Sequence, residues 1–138
     1  MKNYSILIAL LITTLVAGQS GKIKMEVSGI KNNKGFISLA LYNNANDFTK
    51  AEIMSSKLKA KKGILYAYFD QLPAGNYAVA VLHDENKNDK MDFNFIGVPK
   101  ESYGFSLNPS IVMKAPDFED VRFSLKKNET KHLKIKLK

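Results

Sequence analysis

The residues best equipped for chemistry form one run, His83-Asp84-Glu85-Asn86-Lys87-Asn88-Asp89-Lys90-Met91-Asp92, with oxygen-bearing side chains at Asp84, Asn86, Asn88 and Asp92. Calcium is a hard cation that takes about six to eight oxygens, and an Asp-x-Asn-x-Asn loop wraps them round one centre with a main-chain carbonyl at the seventh position. Counted from Asp84, that carbonyl belongs to Lys90 and the ninth position to Asp92. Two positions depart from the pattern: Asp89 stands where glycine makes the sharp turn, and Phe95 where a bidentate glutamate closes the shell. A ligand folding back from downstream would have to replace it, and Glu101, Asp117, Glu119 and Asp120 are the carboxylates placed to do so. The competing reading is an Asx-rich turn in which Asn and Asp bond their own backbone.

Nucleophilic and general-base chemistry finds little material. His83 and His132 are the only histidines, and His132 belongs to the terminal strand pattern, so His83 reads as a strand-end histidine bonded to a neighbouring carbonyl. There is no cysteine, Ser106 lacks the Gly-x-Ser-x-Gly elbow, and no His-Glu-x-x-His occurs. Phe93, Phe95, Tyr103 and Phe105 make the downstream segment rich in aromatics. Such rings can stack on sugars or partner side chains. The plainer expectation is that they plug the open end of a sandwich, because most large apolar residues go inside.

These residues need a frame, and the chain supplies short strands. Met1-Lys2-Asn3 followed by the apolar run Tyr4 to Val16 and the small residues Ala17-Gly18 has the three marks of a cleavable signal peptide, so residues 1–18 read as a leader and 19–138 as one exported domain. The apolar run is shorter than the roughly 20 residues a bilayer core requires, which argues against lasting membrane insertion. Alternation at Ile23, Met25 and Val27, the turn Asn32-Asn33-Lys34-Gly35, and Phe36 to Tyr42 predict a hairpin. Further strands are expected at Lys57 to Ala60, Gly63 to Phe69, Tyr77 to Leu82, Val121 to Leu125 and Lys131 to Leu137. The strand from Tyr77 is apolar on both faces and should be central. It is followed by the polar loop 84–94 and an irregular stretch, 95–119; loops of that length are uncommon and often functional. About seven short strands with turns between them predict an all-β, antiparallel sandwich, prealbumin-like or immunoglobulin-like, with an open barrel as the competitor.

The formal charge is +8, and loss of Lys2 with the leader leaves +7. The C-terminal lysines alternate with Leu133, Ile135 and Leu137, which is the pattern of a half-buried strand with its basic face in water. Arg122 is the only arginine, so a nucleic-acid surface is not expected.

The order of Gly29 to Tyr42, Leu72-Pro73-Ala74-Gly75-Asn76-Tyr77, His83 to Asn88, Phe95 to Glu101 and Tyr103-Gly104-Phe105-Ser106 resembles a bacterial family known only as domain of unknown function two-one-four-one. The resemblance implies a small exported β-sandwich and supplies no activity. The Leu-Pro-x-Gly-x-Tyr element is also similar to prealbumin-like and carboxypeptidase-regulatory-like domains, where it makes a structural turn. The leading expectation is a non-enzymatic module, periplasmic or extracellular, that binds a protein or saccharide partner through residues 84–106, with His83, Glu101, Tyr103 and Phe105 beside the calcium loop. A small envelope hydrolase acting on saccharide or peptide, and a purely structural envelope protein, are the alternatives.

Overall fold

The computed structural model describes residues 20–111 and 114–138; the expected leader lies outside them. Eight strands and one helical turn follow in order: β1 (Gly21–Ile30), β2 (Phe36–Tyr42), β3 (Met54–Lys59), β4 (Gly63–Leu72), β5 (Gly75–Asp84), β6 (Tyr103–Phe105), α1 (Phe118–Val121), β7 (Phe123–Leu125) and β8 (Thr130–Lys136). They form two sheets. The first has the order β4-β1-β8; the second runs β3-β2-β5-β6, with β7 also on β5. The sheets face each other as a sandwich and do not close into a barrel.

Alternation explains the packing. Ile23, Met25 and Val27 of β1 and Leu133 and Ile135 of β8 turn inward onto Ile37, Leu39 and Leu41 of β2 and Val79 and Val81 of β5. Lys24, Glu26, Lys134 and Lys136 are left on the outer side. With no disulfide in the chain, stability rests on this burial, at roughly 1.5–3 kcal/mol for each large aliphatic or aromatic side chain taken from water.

Four features differ from the sequence expectation. The expected hairpin of β1 and β2 does not form: β1 pairs with β4 and β8 and β2 with β3 and β5, so the turn at residues 31–35 carries the chain from one sheet to the other, a choice that alternation and turn chemistry do not encode. β8 pairs with β1 in parallel, Lys22 opposite Thr130 through Ser28 opposite Lys136, so the sandwich is not antiparallel throughout. Both strands alternate, and alternation carries no information about direction. The expected strand at Lys57 to Ala60 begins earlier, at Met54, and pairs with β2, whereas β4 pairs with β1, so residues 60–63 cross from one sheet to the other. The stretch 95–119 is not wholly irregular: it contains β6 and the first two residues of α1.

β5 is central, as its two apolar faces require. Along one edge it pairs with β2 over its length, from Ala78 opposite Tyr42 to Asp84 opposite Phe36. Its other edge is completed in pieces: β7 covers Gly75 to Tyr77, and β6 covers Ala80 to Leu82. Ser106 fills the gap between them. Its main-chain N–H donates to the Val79 carbonyl at 2.9 Å, and its Oγ accepts the Val79 N–H at 3.0 Å and donates to the Val121 carbonyl at 2.6 Å. The fully buried Ser106 side chain thus stands in for a strand neighbour and anchors α1 to the sheet. Gly104 lets β6 approach β8, since a Cβ there would lie 3.0 Å from Ile135 Cγ2.

The outer face of the second sheet carries a smaller apolar layer in which Tyr42, Phe48, Phe105, Phe118 and Val121 pack together. Phe48 sits at its centre, 5.2 Å from the Tyr42 ring and 5.9 Å from that of Phe118.

Ser106→Ala should therefore destabilise the domain by about 1–3 kcal/mol, because it orphans a buried N–H and a buried carbonyl without leaving a large cavity. Urea unfolding checks this: the midpoint should fall while the slope stays constant.

Candidate functional site

The last residues of β5 deliver His83 and Asp84 to opposite faces. His83 lies opposite Ile37, a core residue, and is fully buried on the inner side, with Nε2 2.8 Å from the Lys34 carbonyl. That is the carbonyl-bonded histidine the sequence suggests, turned away from the loop that follows it. Asp84, also fully buried, lies on the outer side. Gly35 makes room there: its φ is +66°, and a Cβ would fall 1.9 Å from the Asp84 carbonyl oxygen.

The loop then folds round the Asp84 carboxylate. Oδ1 accepts the Asn88 N–H at 3.1 Å and Oδ2 the Asp89 N–H at 2.9 Å. Asn86 and Asn88 direct their side-chain amides to Asp92, at 2.5 Å and 2.8 Å, while Asn88 Oδ1 accepts the Lys90 N–H at 3.0 Å. Lys87 and Asp89 hold φ of +63° and +59°. Asp89 thus adopts the left-handed conformation that glycine supplies in calcium loops, although its side chain makes that geometry less favourable. Asp89 also pairs with Lys57 across the surface.

The four downstream carboxylates separate cleanly. Asp117, Glu119 and Asp120 belong to α1 and its start, where Asp120 accepts the Asp117 N–H and Glu119 pairs with Arg122. Glu101 returns to the loop: its Oε1 accepts the Glu85 N–H at 3.0 Å. Phe95, the twelfth residue from Asp84, is fully exposed and far from any ligand role. Among the described residues no three side chains of the His, Cys, Asp and Glu types converge as a metal cluster, so any ion here would depend on amide and main-chain oxygens as well.

Beyond Asp92 the chain makes a small hairpin. Asp92 accepts the Lys100 N–H at 2.8 Å, Phe93 bridges to Pro99, and Asn94 Oδ1 accepts the N–H groups of Ile96 and Val98 at 3.0 and 2.9 Å. Gly97, at φ +83°, turns the tip. The hairpin stands beside the outer face of the second sheet and walls a cleft of about 1000 Å³. The floor is Ser38 and Ala40 of β2 and Ala80 and Leu82 of β5; Phe93, Ile96, Val98 and Pro99 of the hairpin line the cleft, as do Ile111 and Lys114. Tyr103 and Phe105 close one side of the floor.

The aromatic plug is therefore half right. Phe105 is buried and Tyr103 packs against it at 6.1 Å, on the outer sheet face and not at the sandwich end. Phe93 and Phe95 are exposed, as are Ile96 and Val98. The cleft floor escaped the sequence reading; its only signal is the small residues Ser38 and Ala40 at alternate positions of β2, with Ala80 opposite Ala40 on β5.

Fold and loop together define a small β-sandwich domain with an Asx-rich loop and an apolar cleft on one sheet. The chain belongs to the family described as an uncharacterized protein conserved in bacteria (DUF2141), whose model matches residues 25–133. No curated protein and no solved structure matches it significantly, and a likeness to prealbumin-like domains is not shown.

Asp89→Gly should stabilise the protein by about 0.5–1 kcal/mol, since relief of the left-handed backbone outweighs loss of an exposed ion pair; thermal melting measures it. At the cleft end, burial pushes the Tyr42 phenol above its ordinary value of 10.0, and the nearby Glu52 carboxylate adds to the effect. The folded state then binds that proton more tightly than the unfolded chain, so the associated stability is intact below pH 10 and is lost as pH climbs through the raised value. Tyr42→Phe should flatten this alkaline decline in urea midpoints measured between about pH 9 and 11.

Proposed function

We propose that this is an exported, non-enzymatic binding module that takes an apolar segment of a partner protein into the cleft between the Phe93–Pro99 hairpin and the outer face of β2 and β5. One observation carries the reading: Phe93, Phe95, Ile96 and Val98 are all exposed on a single hairpin whose backbone is fully organised. Contiguous exposed apolar surface rimmed by polar residues is a mark of interaction sites.

Magnitudes set the expected strength. Burying three such side chains yields roughly 5–9 kcal/mol, against association costs estimated at about 4–15 kcal/mol. Apolar contact alone gives weak binding, and the Lys57, Glu52 and Lys114 side chains at the rim would add orientation. The signal-like start of the chain supports action in the periplasm or outside the cell. A hydrolytic role gains no support from the geometry: His83 faces the interior, and Asp84 and Glu101 are buried.

Nile red, a neutral apolar dye, tests the cleft. Its fluorescence should rise on titration with the wild-type protein. The rise should fall several-fold with Ile96→Ser combined with Val98→Ser, two exposed positions whose change should leave the melting temperature in place. Equal dye binding by both proteins would refute the reading.

A further inference from the structure

The pairing of β5 with β6 has a consequence one step beyond its last bridge. Tyr103 lies opposite Leu82, and the Ser102 carbonyl accepts the His83 N–H at 2.8 Å. Continuing that register puts Glu101 opposite Asp84 on the same, outer face. Directly opposed side chains sit with Cβ atoms about 4.5–5.5 Å apart, and like charges so placed repel. Both residues are buried, Asp84 completely and Glu101 to 7% exposure. None of the ion pairs among the described residues involves either one. Glu101 Oε1 holds the Glu85 N–H, but its Oε2 is buried without any hydrogen-bond partner.

Two carboxylates facing each other out of water need a counter-charge, because buried charges persist when paired or when they coordinate a metal. No lysine or arginine supplies it. Main-chain N–H groups of Glu85, Asn88 and Asp89 meet three of the four carboxylate oxygens, which leaves Glu101 Oε2 unmet beside a loop whose other side chains carry oxygens at Asn86, Asn88 and Asp92. We infer that Asp84 and Glu101, with Asn86, Asn88, Asp92 and the Lys90 carbonyl, bind a calcium ion. Glu101 supplies the carboxylate that the twelfth position of the loop lacks. An all-oxygen set of this size favours calcium over zinc, which prefers nitrogen and sulfur, and over magnesium, which keeps its waters. Ligation turns the Asn86 and Asn88 amides, which now donate to Asp92, and draws Asp92 inward.

The inference is independent of what occupies the cleft, since it rests on the two carboxylates and the loop alone. Its test is calorimetric titration of chelator-treated protein with calcium, beside melting curves in calcium, in magnesium and in chelator. Saturable binding of one calcium is expected, with a dissociation constant of about 10⁻⁴–10⁻³ M as in extracellular modules. The melting temperature should rise in calcium and not in equal magnesium. Glu101→Gln keeps an oxygen for the Glu85 N–H, so a merely structural glutamate would be replaced without effect on metal. Here the variant should bind calcium at least tenfold more weakly, yet melt above the wild type in chelator because the repulsion is gone. Absence of heat and of a melting shift with wild-type protein at millimolar calcium overturns the site, and unchanged affinity in Glu101→Gln removes Glu101 from it. Either result leaves the Nile red measurement untouched.

Discussion

Strand β5 carries a row of main-chain donors and acceptors on the edge away from β2, and no single strand runs along it. Each of those buried groups must find a partner or forfeit about 1–3 kcal/mol. The chain solves this by bringing back three separate pieces: β6, the Ser106 side chain and main chain, and β7. Everything between Asp84 and Phe123 is tethered by that requirement. The hairpin at Phe93–Pro99 stands over the sheet because the segment containing it leaves β5 at Asp84 and must be back alongside Leu82 by Tyr103.

The same return fixes the electrostatics. A segment arriving antiparallel to β5 puts its residues opposite those of β5 in strict order, so the residue two before Tyr103 meets the residue two after Leu82. Those residues are Glu101 and Asp84. The burial of two acids at one point is thus a consequence of register, and the polar loop that wraps them is short, so it can enclose only what lies at that point. His83, one residue away, is carried to the far side by the two-residue period of the strand and takes no part.

Much of the sandwich was legible because its strands obey that period: Ile23, Met25 and Val27, or Leu133, Ile135 and Leu137, declare an inner face without reference to anything else. β5 was legible as central because Ala78 and Ala80 as well as Val79 and Val81 are apolar. β6 was not, since three residues with glycine in the middle show no alternation. The parallel pairing of β8 with β1 was not either, because strand direction is set by connections across the whole domain. For the site, the loop and its oxygen spacing stood out as local chemistry, and Glu101 was one of several acids that could have reached it. Only the pairing in space singles it out. The cleft was hidden for a different reason: it is made by what is small, Ser38, Ala40 and Ala80, and by a hairpin that keeps its apolar residues outside.

The side-by-side placement of β1 and β8 also joins the two ends of the domain. The first strand of the domain has β4 on one edge and, on the other, β8, the last of the eight in chain order. Without residues 130–136, one edge of β1 has no strand beside it. The first sheet is thus closed by residues more than a hundred positions apart, and the seam between β1 and β8 is the joint that any opening of the domain from its ends would break first.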